Sequence, residues 1–204
     1  MESVVLKPPY ELILVESRAQ WREWLIEFHQ SSPGAWVATW KTANDRPSVP
    51  TSEIAEEALC FGWVDSRPGR LDDHRSRILV TPRRAKSSWS RINKERAARL
   101  VDQGMMMPAG RAAIDAAKAN GAWSALEHVE DLVEPIDLRY ALDAEPDARR
   151  HWNAFPRSTR RAILEWIASA KRETTRAERI ERTVRDAAVN LRANQWRQPK
   201  TAGQ

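Results

Sequence analysis

The spacing of the large apolar residues changes early in the chain, and this change constrains the fold more than any other feature. Trp21, Trp24, Leu25 and Phe28 recur at intervals of three and four residues, which predicts one face of an amphipathic helix. In residues 35–41 the apolar residues alternate between two faces instead, which predicts a half-buried strand. A chain that uses both periods so close together is predicted to pack helices against a sheet.

Further strands are predicted on both sides of this one. Two of them run from Trp63 to Ser66 and from Arg75 to Thr81, and the turn-forming residues between them favour a hairpin. An extended segment is also predicted at residues 10–15. The predicted fold class is therefore α+β, with a small sheet of about three strands in the N-terminal half that is packed by helices.

Start and stop signals place the remaining helices. Ser17 and Ser90 are predicted N-caps, Gly62 and Gly104 are predicted to end helices, and Pro108 is predicted at a helix start. The predicted helices lie at residues 51–61, 90–103, 109–120, 137–143, 146–155, 158–170 and 177–191, whereas residues 122–136 are predicted to be irregular. The C-terminal half is thus predicted to be all-helical.

The last helix carries a narrow apolar seam on an otherwise charged surface. This seam is predicted to pack on the body of the protein or on a second copy of the chain. A homo-oligomer is therefore one of the two alternatives. The members of the seam are Ala177, Ile180, Val184, Ala187 and Leu191. We predict a single domain over residues 1–192 and a flexible tail over residues 193–204.

Composition points to an ordinary globular protein. The chain has 204 residues and ten Trp, most of which must be buried because Trp is costly to expose. Cys60 is the single cysteine, so internal disulfides are excluded. Residues 1–17 lack the basic start and the continuous apolar run of a signal peptide, and no apolar run is long enough to span a membrane. We therefore predict a cytoplasmic location without membrane insertion.

Positive charge is concentrated in two zones. Residues 67–99 carry eleven Lys or Arg against three Asp or Glu, a net charge of +8. Residues 157–204 carry twelve against five, a net charge of +7, whereas residues 1–156 carry 21 against 23. Arg offers a planar fork of donors, and Trp offers a stacking face, so the first zone suits an anionic partner.

Four runs of sequence resemble those of a known family, the YdeI/OmpD-associated proteins, also called bacteriocin-protection or OmdA-like proteins. The runs are EEALCFGWVDSRPGRLDD, VTPRRAKSSWSRINKERAARL, PAGRAAIDAAKANGAW and LEWIASAKRETTRAERI, and the resemblance spans about residues 21–190. The chain departs from the family at Met107, where Thr is usual before Pro108, so a side-chain N-cap is expected to be missing there.

The resemblance implies no agreed enzymatic activity. The family's name implies a periplasmic role in tolerance of cationic peptides, but the absence of an export signal leads us to set the name aside as a guide to location. What the resemblance adds is a grouping of residues, the CFGWVD and TPRRAKSSWS motifs.

Our first hypothesis is a binding protein for a small anionic molecule, with a role in stress or antimicrobial tolerance. Arg83 and Lys86 would supply charge, Trp63 and Trp89 would form apolar walls, and Asp65 would orient an Arg. The predicted ligand-binding residues are Trp63, Asp65, Arg67, Arg83, Arg84, Lys86, Ser87, Trp89 and Ser90. In the competing interpretation Trp63 is core, Asp65 is an ion-pair partner, Ser90 only caps its helix and the arginines lie in solvent.

Two other classes of function stay open. A nucleic-acid-binding protein would use the two basic zones together, although i,i+4 Glu–Arg pairs on the last helix favour a solvated face there. An enzyme acting on a phosphorylated or carboxylated metabolite would need an acid or base, for which Asp65 is the candidate. Cys60 is more readily a small core residue than a nucleophile. The scattered histidines and the few glycines predict neither a metal site nor a nucleotide cofactor.

Overall fold

The computed structural model describes residues 10–43, 45–196 and 198. These residues form two compact units, which we call the N-terminal unit (up to Ser124) and the C-terminal unit (from Ala125). The single domain over residues 1–192 stays a prediction. Within the predicted tail, Ala193 is buried, and residues 197 and 199–204 lie outside the described residues.

In its described residues, the N-terminal unit combines four strands with four helices. Its elements are β1 (Glu11–Leu14), α1 (Arg18–Phe28), β2 (Ala35–Trp40), α2 (Thr51–Cys60), β3 (Trp63–Arg70), β4 (Arg75–Pro82), α3 (Arg91–Asp102) and α4 (Pro108–Ala119). The strand order is β1-β2-β4-β3, with β1 parallel to β2 and the other pairs antiparallel. The α+β class and the β3–β4 hairpin are confirmed. The sheet has four strands instead of about three, because the extended segment predicted near residues 10–15 pairs with β2 after the α1 crossover.

One face of this sheet is buried against helices. Trp21 and Leu25 of α1 and Ile54 of α2 are fully buried, as are Trp63 of β3 and Val80 of β4. The alternation of a strand places Trp63 and Val80 on this inner face, and the period of α1 turns Trp21 and Leu25 toward it. Trp21 and Trp63 are therefore core residues of this unit.

Local signals at the helix ends act largely as predicted. The Ser17 hydroxyl accepts from the backbone N–H of Gln20 at 3.2 Å and caps α1. Ser90 caps α3 in the same way through Asn93. Met107 makes no side-chain capping bond at the start of α4, as the departure from the family pattern predicted.

Gly62 is required where α2 turns into β3. Its φ is +74°, and a Cβ at this position would lie 2.9 Å from the carbonyl oxygen of Ala109 on α4. Only glycine meets both conditions without strain. This close approach holds the start of β3 against α4.

All the regular secondary structure in the described part of the C-terminal unit is helical. Its elements are α5 (Glu127–Glu130), α6 (Ile136–Asp143), α7 (Pro146–Ala154), α8 (Arg157–Ala168) and α9 (Glu173–Ala188). The core contains Leu138, Leu142, Trp152 and Ile163. Trp152 donates its indole N–H to Glu134 at 2.7 Å, and Glu134 also receives Arg149 at 2.9 Å.

Two details of this unit differ from the sequence prediction. Residues 122–136 were predicted to be irregular, yet they contain the single turn of α5 around the buried Val129. Helix α9 ends at Ala188, and Asn190 takes a φ of +57°, so Leu191 lies beyond the helix and is 42% exposed. The predicted seam is therefore one turn shorter than its spacing suggests. No helix within the described part of the chain is long and apolar enough to cross a membrane.

Candidate anion-binding site

Arg83 is held at the end of the β3–β4 hairpin. Its backbone N–H donates to the carbonyl of Gly62 at 3.0 Å, which extends the strand pairing one residue beyond Pro82. Its guanidinium donates through Nη1 to the carbonyl of Ser88 at 3.1 Å, and its Cζ lies 4.2 Å from the centroid of the Trp89 ring. The side chain therefore folds back over the loop that follows the strand.

Trp89 forms the wall beneath this guanidinium. Its side chain is fully buried, its backbone N–H donates to Ala122 at 3.2 Å, and its ring lies 5.0 Å from the ring of Trp123. Asn120, at the end of α4, donates to the carbonyl of Ala85 at 2.8 Å. These bonds attach the loop of residues 83–90 to the segment that follows α4.

Two buried donors at this contact lack acceptors. Neither Arg83 Nε nor Trp89 Nε1 has a hydrogen-bond partner among the described residues, and Arg83 forms no ion pair there. A buried donor without an acceptor costs about 1–3 kcal/mol, and more when it is charged. Burial lowers the pKa of Arg83, while the nearby carboxylate of Asp65 acts in the opposite direction. The group stays cationic at neutral pH because guanidinium titrates far above it.

A small cavity opens beside these two side chains. Its volume is about 150 Å³, the share of about five water molecules in the liquid. The lining residues are Arg83, Arg84, Ala85, Trp89, Ala113 and Ala116. Ala113 and Ala116 belong to α4, and their short side chains leave the space open. The result is a compact space with two cationic side chains and an indole wall, which suits a phosphate-sized or carboxylate-sized anion.

Three of the nine predicted site residues line this cavity together, namely Arg83, Arg84 and Trp89. Asp65 acts on Arg83 through its charge, but no ion pair within 4 Å joins the two. Lys86 is exposed in the same loop.

The structure places the other predicted residues elsewhere. Trp63 is a core residue whose ring packs edge-on against Trp24 at 5.8 Å and whose N–H donates to His29 at 3.1 Å. Ser90 caps α3, Ser87 is half-buried in the loop, and Arg67 is exposed on β3. None of these residues lines the cavity.

Sequence reasoning did not identify the α4 wall or Trp123. Ala113 and Ala116 lie about thirty residues beyond Arg83, and alanines in a helix carry no chemical signal of a site. Trp123 stands in the GAW end of a quoted run, and its place beside Trp89 depends on the turn after α4. The one feature of the sequence that could have indicated this wall is the alanine-rich run of α4, which follows the cationic loop.

A second basic surface lies on the outer face of the sheet. Trp36 and Trp40 of β2 are half-buried there. Arg77 of β4 lies over Trp36 with its Cζ 4.4 Å from the ring centroid, and Arg75 lies over Trp40 at 5.4 Å. We call this the Arg–Trp face.

The environment of Cys60 is not that of a reactive thiol. It is fully buried at the end of α2, and burial raises its pKa. Buried thiols of this kind behave as small apolar groups. Within residues 10–43, 45–196 and 198, no group of three or more His, Cys, Asp or Glu could hold a metal ion.

Two family models match different parts of the chain. Residues 13–113 match a domain of unknown function (DUF8412), which contains the first two of the quoted runs and nearly all of the cavity lining. Residues 131–190 match the model described as bacteriocin-protection, YdeI or OmpD-associated, which contains the fourth run at residues 164–180. No curated protein and no solved structure matches the chain. The resemblance to the bacteriocin-protection, YdeI or OmpD-associated family that the sequence motifs indicated is therefore confirmed over residues 131–190.

Proposed function

We propose that the N-terminal unit binds a small phosphate-bearing or carboxylate-bearing molecule in the cavity beside Arg83 and Trp89. The observation that carries this proposal is the pair of unpartnered donors, Arg83 Nε and Trp89 Nε1, at a cationic cavity. An anion in the cavity would neutralise a guanidinium that has no ion-pair partner among the described residues. Both donors are covered in the ligand-free structure, so an anion with several acceptor oxygens would satisfy them once the side chains shift to admit it. Charge-assisted bonds of this kind are about twice as strong as neutral ones.

The size and the walls of the cavity restrict the ligand. A space of about 150 Å³ admits one anionic group and excludes a nucleic-acid strand. The indole wall contributes little to the direct recognition of an anion, because the face of an aromatic ring carries partial negative charge. Trp89 acts instead by holding the guanidinium through a cation–π contact, so that Arg83 is in place before the ligand arrives.

The experiment measures melting temperature and Trp fluorescence with a panel of small anions and nucleotides, a short RNA and a duplex DNA, at low and moderate salt. We expect a salt-tolerant rise in melting temperature with at least one small anion, because a ligand that binds only the folded state stabilises it. The rise should vanish in Arg83→Ala and persist in Arg111→Ala, which removes an exposed charge on α4 outside the cavity lining.

Two results would count against the cavity. In one, Arg83→Ala and Arg111→Ala respond to the small anion equally. In the other, only the nucleic acids respond and the response disappears with modest added salt, as expected for contacts with a phosphate backbone.

The physiological role that we propose is cytoplasmic and concerns tolerance of stress or antimicrobial peptides. The description of the family model that residues 131–190 match, bacteriocin protection, supports the role in tolerance of antimicrobial peptides. A strain that lacks the protein should then lose tolerance, and Arg83→Ala should fail to restore it.

A second candidate function is single-stranded nucleic-acid binding on the Arg–Trp face. The specific observation in its favour is that arginines alternate with two half-buried indoles on an uncovered sheet face, with Arg77 and Arg75 stacked on them. Bases stack on such side chains, and the backbone is attracted by the charges. Trp36→Ala should then abolish RNA binding and leave the small-anion response intact.

A further inference from the structure

An open groove runs along α6 and α9 of the C-terminal unit. Its volume is about 1020 Å³, far larger than the cavity beside Arg83, and its lining belongs to this unit alone. The proposed function makes no use of it.

The floor of the groove is apolar and made mainly of small side chains. Ala177, Ile180, Val184 and Ala188 recur along α9 at helical spacing, and Ala141 faces them from α6. Ala177 is exposed, and Val184 and Ala188 are half-buried. Of the apolar seam predicted for this helix, Ile180 and Ala187 are buried in the core, whereas Ala177 and part of Val184 remain uncovered. The alanines of the floor allow another helix to approach closely.

The rim of the groove is anionic. Glu145, Glu173 and Glu178 line it and form no ion pair among the described residues. The two arginines that line the groove are paired: Arg176 with Asp137 through two bonds of 2.8 and 2.9 Å, and Arg185 with Glu181 at 4.0 Å. This acidic rim stands out because residues 157–204 carry a net charge of +7.

We propose that this groove docks a cationic amphipathic helix of another polypeptide. The apolar stripe of such a helix would cover the alanine floor, and its Lys or Arg residues would meet the unpaired carboxylates on the rim. Between Glu173 and Ala188, α9 rises by about 22 Å, so the groove accommodates a partner of about four turns. This is the helix-in-groove mode of recognition, with charge complementarity at the edges.

A second copy of the chain fits this groove less well. An isologous contact brings the same surface against itself, so the unpaired carboxylates of one copy would face those of the other. Like charges brought together in this way are destabilising. An anionic partner is disfavoured for the same reason.

The test uses a 14-residue peptide with Leu at positions i, i+3, i+4 and i+7 and Lys at the remaining positions, and a scrambled peptide of the same composition. Binding to the full chain is measured by isothermal titration calorimetry. We expect the amphipathic peptide to bind at least about tenfold more tightly than the scrambled one, because only the former presents an apolar stripe.

Variants locate the binding. Ala177→Lys places a cation on the groove floor, and the triple variant Glu145→Gln, Glu173→Gln, Glu178→Gln removes the unpaired charges; each should weaken binding at least about tenfold. The matched control is Glu23→Gln, Glu27→Gln, Glu95→Gln, which removes the same charge from exposed helix positions of the N-terminal unit. It should change binding by less than about twofold.

Three results would overturn the proposal. The peptides bind equally, which would indicate charge alone; the control triple weakens binding as much as the groove triple; or the protein without peptide sediments as a dimer that Ala177→Lys dissociates. If Ala177→Lys does not fold, as judged by circular dichroism, the two triple variants decide the question.

Discussion

The guanidinium of Arg83 lies on the indole of Trp89, with 4.2 Å between its Cζ and the ring centroid, and each side chain has a buried N–H without an acceptor. The contact itself is favourable, with a cation–π attraction of about 1–2 kcal/mol when partly desolvated. The two unpartnered donors cost about 1–3 kcal/mol each. The bond from Arg83 to the Ser88 carbonyl is exposed to solvent and adds little. The contact therefore becomes more stable when a ligand accepts from the two donors, as expected for a binding site.

The first prediction is that Arg83→Met will stabilise the ligand-free protein and abolish the response to small anions. Met can cover the indole with an apolar chain and carries no donor, so the buried charge and its unsatisfied N–H are removed together. The bond to the Ser88 carbonyl is lost as well, but that residue is exposed and water can replace the donor. Because Arg83 is only half-buried, we expect a gain of about 1 kcal/mol in the free energy of unfolding, measured with urea.

Arg84→Met provides the control for this prediction. Arg84 is exposed, so its replacement should leave the free energy of unfolding nearly unchanged. A loss of stability in Arg83→Met would mean that the cation–π contact outweighs the unpaired donors, and the argument for a reserved site would fail.

The second prediction concerns Glu57, a fully buried carboxylate in the N-terminal unit. It accepts from Arg18 Nε at 2.5 Å and from Arg22 at 2.6 Å, so two helices are joined through one charge. Glu57→Gln removes the carboxylate that Arg22 pairs with, and it leaves Arg18 with only Glu56 at 3.3 Å. Because both arginines are partly exposed, we expect a loss of about 3 kcal/mol in the free energy of unfolding, the lower end for a broken buried pair.

The double variant Arg22→Met, Glu57→Leu tests the cause of that loss. Replacing an ion pair with apolar side chains is far less costly than removing one partner, so part of the loss should be recovered. Equal stability of Glu57→Gln and the unaltered protein would mean that the ion pairs of Glu57 do not stabilise the contact between α1 and α2.

Much of the fold could be predicted because its signals are local. The caps Ser17 and Ser90, the period of α1 and the turn residues between β3 and β4 each act within a few residues. The pairing of β1 with β2 joins two segments that are separated in sequence by the whole of α1. A four-residue strand such as Glu11–Leu14 is too short for its apolar pattern to predict this pairing.

The candidate site divides in the same way. Arg83, Arg84 and Trp89 lie in one short loop, so the sequence could group them. Trp63 was placed with them because of its motif, but the alternation of β3 turns its side chain into the core. Ala113 and Ala116 came from a distant helix whose packing the local pattern does not specify.

The third prediction concerns the pH dependence of the β3–β4 turn. The Asp72 carboxylate accepts from Arg75 Nε at 2.8 Å and from the backbone N–H groups of Arg75 and His74, and these bonds lower its pKa to about 2. Because the folded-state pKa lies below the unfolded value of 3.8, the stabilising contribution is present above pH 3.8 and is lost as the pH falls toward 2.

Two measurements check this prediction. A carboxyl-carbon NMR titration should place the midpoint for Asp72 near 2, and Arg75→Met should raise it toward the ordinary value. The difference in melting temperature between the unaltered protein and Asp72→Asn should shrink between pH 5 and pH 2. A difference that stays constant over this range would mean that the charge of Asp72 has no part in holding the turn.

The fourth prediction is that Gly110→Ala will weaken both the fold and the cavity. A Cβ at Gly110 would lie 2.3 Å from the carbonyl oxygen of Cys60, which already accepts the N–H of Met107 at 3.1 Å. Alanine favours a helix by about 1 kcal/mol over glycine, but α4 must move away from α2 to admit the methyl group, and overpacking of this kind costs about 1–3 kcal/mol. The same movement displaces Ala113 and Ala116, so the stabilisation by a small anion should fall as well.

Gly69→Ala is the matched control for Gly110→Ala, since the nearest atom to its Cβ would be 3.7 Å away. If Gly110→Ala and Gly69→Ala unfold at the same urea concentration and respond equally to the anion, the close approach of α4 to Cys60 has no bearing on the site.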